Sequence, residues 1–412
     1  MNCINDKNMP QLASKKECTA CMACVSTCPK GAVIPYLDED GHVYVKIDKN
    51  KCIGCKKCEI VCRNSRNYFG DNNLFESSIY AAWTKNESIR KNSTSGGIFA
   101  AIAKTVIERG GVVVGASLDN RECKHIIISK VEDIIKLQGS KYLSSSLNGI
   151  YKEIEKKLSE GLVLFTGTGC QCAGILAYFE NNKYRNNLIT LDLVCAGYPS
   201  RILIDKFYET YNDVDRIVSF RSKDKYLLKV LKKGEVIDIK EKNLPLHGFN
   251  CGMTNRYNCY NCQFAKGHRK TDLTVGDLWN YNIFKEEHTK GVSTIIAHSK
   301  IGKELLLNSN IVLKDIKWSE SINYCKRIVW GKSPIFIPRI ALAKNSSKMK
   351  INRFNKIYCM SMKITDIDLY IFKVYRFIIM KMNDMISKIY IKYILIKNKH
   401  CLYDANKGEK NE

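Results

Sequence analysis

Eight cysteines in two evenly spaced runs constrain this chain more than any other feature. The first run is Cys18-x-x-Cys21-x-x-Cys24-x-x-x-Cys28, followed by Pro29; the second is Cys52-x-x-Cys55-x-x-Cys58-x-x-x-Cys62. Three thiolates spaced in this way wrap one tight loop around a face of an iron–sulfur cubane, and the fourth crosses to a neighbouring cubane. Cys18, Cys21, Cys24 and Cys62 are therefore expected to hold one [4Fe–4S] cluster, and Cys52, Cys55, Cys58 and Cys28 a second. Small residues at Ala20, Ala23 and Gly54 allow close backbone approach, so that N–H groups point at the sulfurs. Two alternatives compete. Structural zinc favours paired C-x-x-C units over runs of four. A disulfide framework needs an oxidising compartment, and the first sixteen residues hold no apolar signal segment, so a reducing cytoplasm is expected.

Residues 1–70 thus resemble a bacterial two-cluster ferredoxin, with short strands at 31–34 and 43–47 around an Asp38-Glu39-Asp40-Gly41 turn. The whole chain has 412 residues, enough for two or three domains, and 45% hydrophobic residues, enough for a real core. Its formal charge is +25. Each thiolate-bound cluster would carry about −2 and offset part of that excess. A basic surface attracts nucleic acid, anionic lipid or an acidic electron carrier. No zinc-finger, helix-turn-helix or aromatic RNA-binding signature accompanies the charge, so nucleic acid is not an expected partner.

Residues 71–90 read as a connector. From Asn92 the pattern becomes α/β: a helix over 98–107, a buried strand at 112–116, helices over 131–137 and 150–158, a strand at 162–165 and another at 188–195. Strand, helix and strand joined by glycine-rich crossings predict an open, largely parallel sheet over residues 71–345. Within it, 226–231 and 236–240 read as a hairpin, 292–298 as a strand and 302–307 as a helix. From 346 to 412 the chain is a basic tail, with twelve Lys or Arg against three Asp between Ser346 and His400. Ile364, Ile367, Ile371, Tyr375, Ile378, Met382, Ile386, Ile389 and Tyr393 form one helical stripe. That helix is expected either to pack on the body or a partner subunit, or to lie on anionic lipid at the inner membrane face. The fold class is α+β: a ferredoxin-like domain, an α/β body and a helical tail.

Beyond the first module, Cys170 lies in a glycine-rich turn after a strand, Cys195 closes a strand, and Cys259 and Cys262 form a C-x-x-C. The ends of neighbouring parallel strands converge on one sheet edge, which would make Cys170 and Cys195 neighbours. Taken singly, each also fits a small buried hydrophobe. The ordered set Ser95-Gly96-Gly97, Gly139-Ser140-Lys141-Tyr142, Gly167-Thr168-Gly169-Cys170-Gln171, Asp192 to Gly197, Ser219-Phe220-Arg221, Cys259 to Phe264 and Asp272 to Asp277 resembles the coenzyme F420 hydrogenase/dehydrogenase beta subunit family. The resemblance covers roughly residues 15–340. It departs from the family pattern at Gly169, where Pro is usual, and at Ala196, where His is frequent.

The resemblance implies a body that binds FAD and a third [4Fe–4S] cluster, with Cys170, Cys195, Cys259 and Cys262 as ligands and Cys172 and Cys251 as spares. Glycine-rich turns and helix N-termini suit a pyrophosphate. Ser95, Gly96, Gly97, Gly139, Lys141, Gly167 and Thr168 are the expected flavin contacts, Lys141 offsetting phosphate charge or lying near the flavin. The alternative for these glycines is ordinary turn chemistry. Asp272 and Asp277 are expected either to orient Cys262 or a ribityl chain, or to cap turns. His247, His268 and His298 are expected either to supply protons or, as the default, to lie at the surface. No Gly-x-Gly-x-x-Gly fingerprint supports a nicotinamide site. The expected function is an iron–sulfur flavoprotein oxidoreductase that takes electrons from a ferredoxin or other redox protein and delivers them to an organic small molecule or deazaflavin. The alternatives are a relay subunit of a larger oxidoreductase and an accessory protein of surface-polysaccharide assembly.

Overall fold

The computed structural model describes residues 8–67, 77–119, 121–221, 227–239, 244–252, 254–265, 269–278, 284–318, 348 and 350–353. Met1–Ile351 form one compact unit and Asn352–Glu412 a second. The stripe from Ile364 to Tyr393 lies outside the described residues. Among the described residues, no helix is long and apolar enough to cross a membrane.

In the N-terminal module, β1 (Val33–Leu37) and β2 (Val43–Ile47) pair antiparallel. Asp38 closes their turn by accepting from the N–H groups of Asp40 and His42 at 3.1 and 2.9 Å. Helices α1 (Ala23–Ser26) and α2 (Lys57–Arg66) each begin inside a cysteine run. The two runs repeat one backbone shape. Ala20 and Gly54 have φ of 55° and 69°, and Met22 and Lys56 have φ of 62° and 57°. A left-handed conformation costs a non-glycine residue about 1–2 kcal/mol, so its recurrence at matching positions marks a loop shape imposed by what it surrounds. Such turns aim successive N–H groups inward.

The body follows in chain order. Its strands are β3 (Ser78–Thr84), β4 (Val112–Asp119), β5 (Glu122–Ile128), β6 (Ser145–Ser146), β7 (Val163–Thr168), β8 (Leu188–Leu193), β9 (Arg216–Ser219), β10 (Leu228–Lys232), β11 (Glu235–Ile239), β12 (Leu273–Asp277), β13 (Ser293–Ala297) and β14 (Ile311–Asp315). Among them run α3 (Glu87–Lys91), α4 (Ile98–Glu108), α5 (Ile134–Leu137), α6 (Ile150–Glu160), α7 (Gly169–Tyr178) and α8 (Ile202–Thr210). Nine strands make one sheet in the order β14-β3-β13-β12-β8-β7-β4-β5-β6, while β9, β10 and β11 form a separate small sheet.

Two expectations are corrected here. The central strands β4, β7, β8 and β12 are parallel, but β5, β13, β3 and β14 join antiparallel, so the sheet is mixed. The stretch read as a connector contains β3, which is paired on both edges and buries Ile79, Tyr80, Ala81, Ala82 and Trp83. A strand covered on both faces shows no polar alternation to announce it. Helix α3 follows, with Asn86 accepting from the Ile89 N–H at its N-terminus.

Helices cover both faces of the sheet. On one face α4 packs with Leu164, Ile189 and Leu191. On the other, α6 and α7 pack over Val114, Val163 and Phe165 together with Met22, Ala23, Cys24 and Val61 of the N-terminal module. Helix α2 runs along α7, so the module supplies the outer layer of that face. The buried Tyr151 of α6 donates its hydroxyl to the Cys21 carbonyl at 2.6 Å. Tyr151→Phe leaves that carbonyl without its partner and should cost about 1–3 kcal/mol. A urea unfolding midpoint unchanged from wild type would contradict this.

Candidate functional site: three cysteine cages and a cavity

Cys18, Cys21, Cys24 and Cys62 line one cavity with Ala20, Met22, Val45 and Arg66. Cys28, Cys52 and Cys55 lie close enough to Cys58 to act on its thiol. The structure therefore brings the two expected quartets together, including the crossed fourth cysteines. N–H groups of Ala20, Ala23, Glu59 and Ala32 point at the sulfurs of Cys18, Cys21, Cys58 and Cys28. Burial pushes the Cys21 and Cys58 thiols up to about 11, so taking up a cluster as thiolates would release protons. Among the described residues, no three Cys, His, Asp or Glu side chains are placed to hold a single metal ion. A closed zinc site with Zn–S bonds near 2.3 Å would need sulfurs about 3.8 Å apart.

The third set also assembles. Cys170, Cys195, Cys259 and Cys262 line one cavity with Thr19, Thr168, Tyr198 and Arg256. Cys170 comes from the first turn of α7, where the helix N-terminus favours negative charge. Cys195 comes from the loop after β8, and a bridge between Pro199 and Asn255 ties that loop to the one bearing Cys259 and Cys262. Further bonds seat this pair of loops on the N-terminal module. Asn258 Nδ2 donates to the Glu17 carbonyl at 2.9 Å, Ser200 Oγ to the Asp40 carbonyl at 2.5 Å, and Gln263 to the Arg66 carbonyl.

Helix α7 sets the spacing between cages. A Cβ on Gly174 would lie 2.6 Å from Cys21 Cβ and 2.9 Å from its sulfur. Gly174 lies four residues after Cys170, one turn and about 6 Å of rise along the same face. The first cage therefore touches α7 one helical turn beyond the cysteine that α7 gives to the third. The spare candidate Cys172 is fully buried, with its thiol towards the Leu191 carbonyl, and does not line the third cage. The Cys251 side chain lies outside the described residues.

A larger cavity of about 280 Å³, partly open to solvent, adjoins the third cage at the C-terminal ends of β4, β7, β8 and β12. Ser95, Gly97, Gly139, Lys141, Gly167 and Thr168 line it, and Thr168 and Tyr198 also line the third cage. Gly96 does not line it. A Cβ there would collide with the Ala82 carbonyl, so this glycine serves packing against β3. The N-termini of α4 and α7 both open on the cavity, the second fixed by the reciprocal Thr168–Gln171 cap. Lys141 Nζ donates to the carbonyls of Leu137 and Gln138 at 2.8 and 2.7 Å, and burial pushes it down to about 8.

Asp277 pairs with both guanidinium nitrogens of Arg221 at 2.9 and 3.0 Å. Asp272 accepts from Thr190 N–H and Oγ and from Ser299 Oγ. Asp277 also lines the large cavity, and Asp272 does not. His298, expected at the surface, has both ring nitrogens in hydrogen bonds with Ser77 and Thr274. His247 is half-buried, and His268 lies outside the described residues.

Sequence reasoning missed the buried wall of the cavity. His125 stacks on Phe165 at 5.3 Å. Its Nε2–H donates to the Thr166 carbonyl at 3.0 Å, leaving Nδ1 to accept from Ser145 Oγ at 2.7 Å. Gln171 and Tyr198 continue the network to the Ser145 carbonyl. Only Gln171 carried a signal, as the fourth position of a Thr-x-x-Gln capping box. Burial, helped by the charge on Lys141, pushes His125 down to about 4. The unfolded chain then binds the extra proton below about pH 6.5, so this stabilisation is complete above that pH and is lost towards pH 4. His125→Gln should shrink the loss of unfolding free energy between pH 7 and 4 by on the order of 3 kcal/mol. Parallel pH profiles for variant and wild type would contradict this.

The family model described as a 4Fe-4S dicluster domain matches residues 7–66. Those described as coenzyme F420 hydrogenase/dehydrogenase, beta subunit N-term and C terminus match residues 79–152 and 161–316. The chain is 24% identical over 291 residues to one subunit of the F(420)H(2) dehydrogenase of Methanosarcina mazei, covering 66% of this chain and 79% of that protein. It also aligns with a chain of the F420-reducing [NiFe] hydrogenase complex from Methanosarcina barkeri at 18% identity and a TM-score of 0.46, covering 68% of this chain and 92% of that one. With an N-terminal dicluster domain followed by both parts of the beta subunit, the chain belongs to the coenzyme F420 hydrogenase/dehydrogenase beta subunit family.

Proposed function

We propose that the chain is an iron–sulfur flavoprotein that moves electrons between a protein carrier and an organic two-electron substrate. The observation that carries this reading is the shared wall: Thr168 and Tyr198 line both the third cysteine cage and the large cavity. The three quartets would hold three [4Fe–4S] clusters, and the cavity FAD. When bound, clusters move single electrons and a flavin couples one- to two-electron steps.

The protein's own residues supply position and access. Cys55 is exposed beside Ile53, which is 58% exposed, whereas Cys18, Cys21 and Cys24 are buried. A ferredoxin-like carrier therefore meets the chain at the Cys52–Cys58 cage. Helix α7 contacts the next two cages one turn apart along its length. The N-termini of α4 and α7 suit the pyrophosphate of a dinucleotide, and the His125–Ser145–Tyr198–Gln171 network keeps one wall rigid. Relatives named for coenzyme F420 make a deazaflavin the first substrate class to test. Because the Methanosarcina mazei relative is one subunit of a dehydrogenase, a relay role beside a partner oxidoreductase is the second reading.

Anaerobic reconstitution with iron counting and flavin extraction tests the proposal. About twelve iron atoms per chain are expected, falling to about eight in Cys262→Ala with flavin retained, at four per cubane. Wild type with about eight iron atoms and no flavin would reduce the chain to its N-terminal module. Full loading with deazaflavin turnover only in the presence of a partner protein would favour the relay.

A further inference from the structure

Arg256 is 1% exposed, among the most deeply buried large side chains of the chain. Its Nη1 donates to the Val43 carbonyl at 2.6 Å, while Nε and Nη2 have no hydrogen-bond partner among the described residues. The guanidinium carbon lies 5.0 Å from the ring centre of Tyr44, in the N-terminal module, and 5.6 Å from that of Tyr198, in the body. Arg256 thus spans the seam between the two. It lines the third cage beside Thr19, which also lines the first.

A buried guanidinium with two nitrogens left without acceptors costs several kcal/mol unless negative charge compensates it. The two cages on either side are the available source. A cubane with four thiolates carries about −2, and N–H donors to its sulfurs are among the levers that set its potential. Resting on the reading that these cages hold clusters, we propose that Arg256 is a shared cation for the first and third cages and sets the potential at which an electron passes between them. A fixed positive charge favours the reduced, more negative form of either cluster, so it raises both potentials. The step is a one-electron exchange: one cluster is oxidised as the other is reduced, and Arg256 keeps its proton throughout. Arg256 acts through charge and hydrogen bonds, and is a potential-setting rather than a catalytic residue.

The test compares reconstituted wild type, Arg256→Met and Arg256→Lys by iron content and by redox titration followed by electron paramagnetic resonance. Arg256→Met should keep its iron and show at least one midpoint lowered by a factor of ten or more in the reduction equilibrium, 59 mV for one electron. Arg256→Lys should stay closer to wild type. Unchanged midpoints in a fully loaded Arg256→Met protein would overturn the inference. So would an Arg256→Lys midpoint as low as that of Arg256→Met, or loss of iron from both variants, which would make Arg256 a structural staple. Wild type without cluster iron would sink the functional reading itself, and this inference with it.

Discussion

The contact on which the rest of this structure depends is between Gly174 and Cys21. No side chain fits at position 174 without displacing the cysteine, so the loop of the first cage rests directly on the backbone of α7. Tyr151 holds the same loop from the neighbouring helix through the Cys21 carbonyl. Together they make the N-terminal module one layer of the body rather than a tethered appendage. Since α7 also presents Cys170 in its first turn, the spacing of two cages follows from helix geometry rather than from a flexible linker.

Burial explains much of the surrounding chemistry. Thiols enclosed in protein resist ionisation, as the raised Cys21, Cys24 and Cys58 show. A cage of thiolates therefore needs cationic metal, inward N–H groups and nearby arginines. Ala20, Ala23, Glu59 and Ala32 supply the inward N–H groups, in loops shaped by the left-handed residues Ala20, Met22, Gly54 and Lys56. Arg66 and Arg256 supply positive charge beside the first and third cages. The same logic keeps His125 neutral in the cavity wall, where its ring is clamped between the Thr166 carbonyl and the Ser145 hydroxyl.

How much of this could be read from residues alone follows from how local each feature is. The two N-terminal cages were legible because cysteine spacing within a single loop dictates them. Cys170, Cys195, Cys259 and Cys262 sit on three separate stretches; strand-end convergence joined Cys170 to Cys195, and only the ordered resemblance joined that pair to Cys259 and Cys262. Strand β3 escaped because Ser78–Thr84 is covered on both faces and shows no period-two pattern. Gly96 was assigned to a ligand, yet its constraint is the Ala82 carbonyl across the sheet. Asp277 finds Arg221 from 56 positions away, and Arg256 meets Val43 from 213; neither partnership leaves a trace in local sequence. The helices over 98–107 and 150–158 and the hairpin around Lys233-Gly234 appeared nearly where periodicity and turn chemistry put them.

The central claim is that the N-terminal cages and the third cage form one electron path, held rigid by α7. The most direct measurement is the electron paramagnetic resonance spectrum of the reconstituted, fully reduced protein. Expected is a spectrum broadened and split by coupling between neighbouring clusters, with part of the splitting lost in Cys262→Ala. A spectrum equal to the sum of isolated clusters, unchanged in line shape by that substitution, would contradict it.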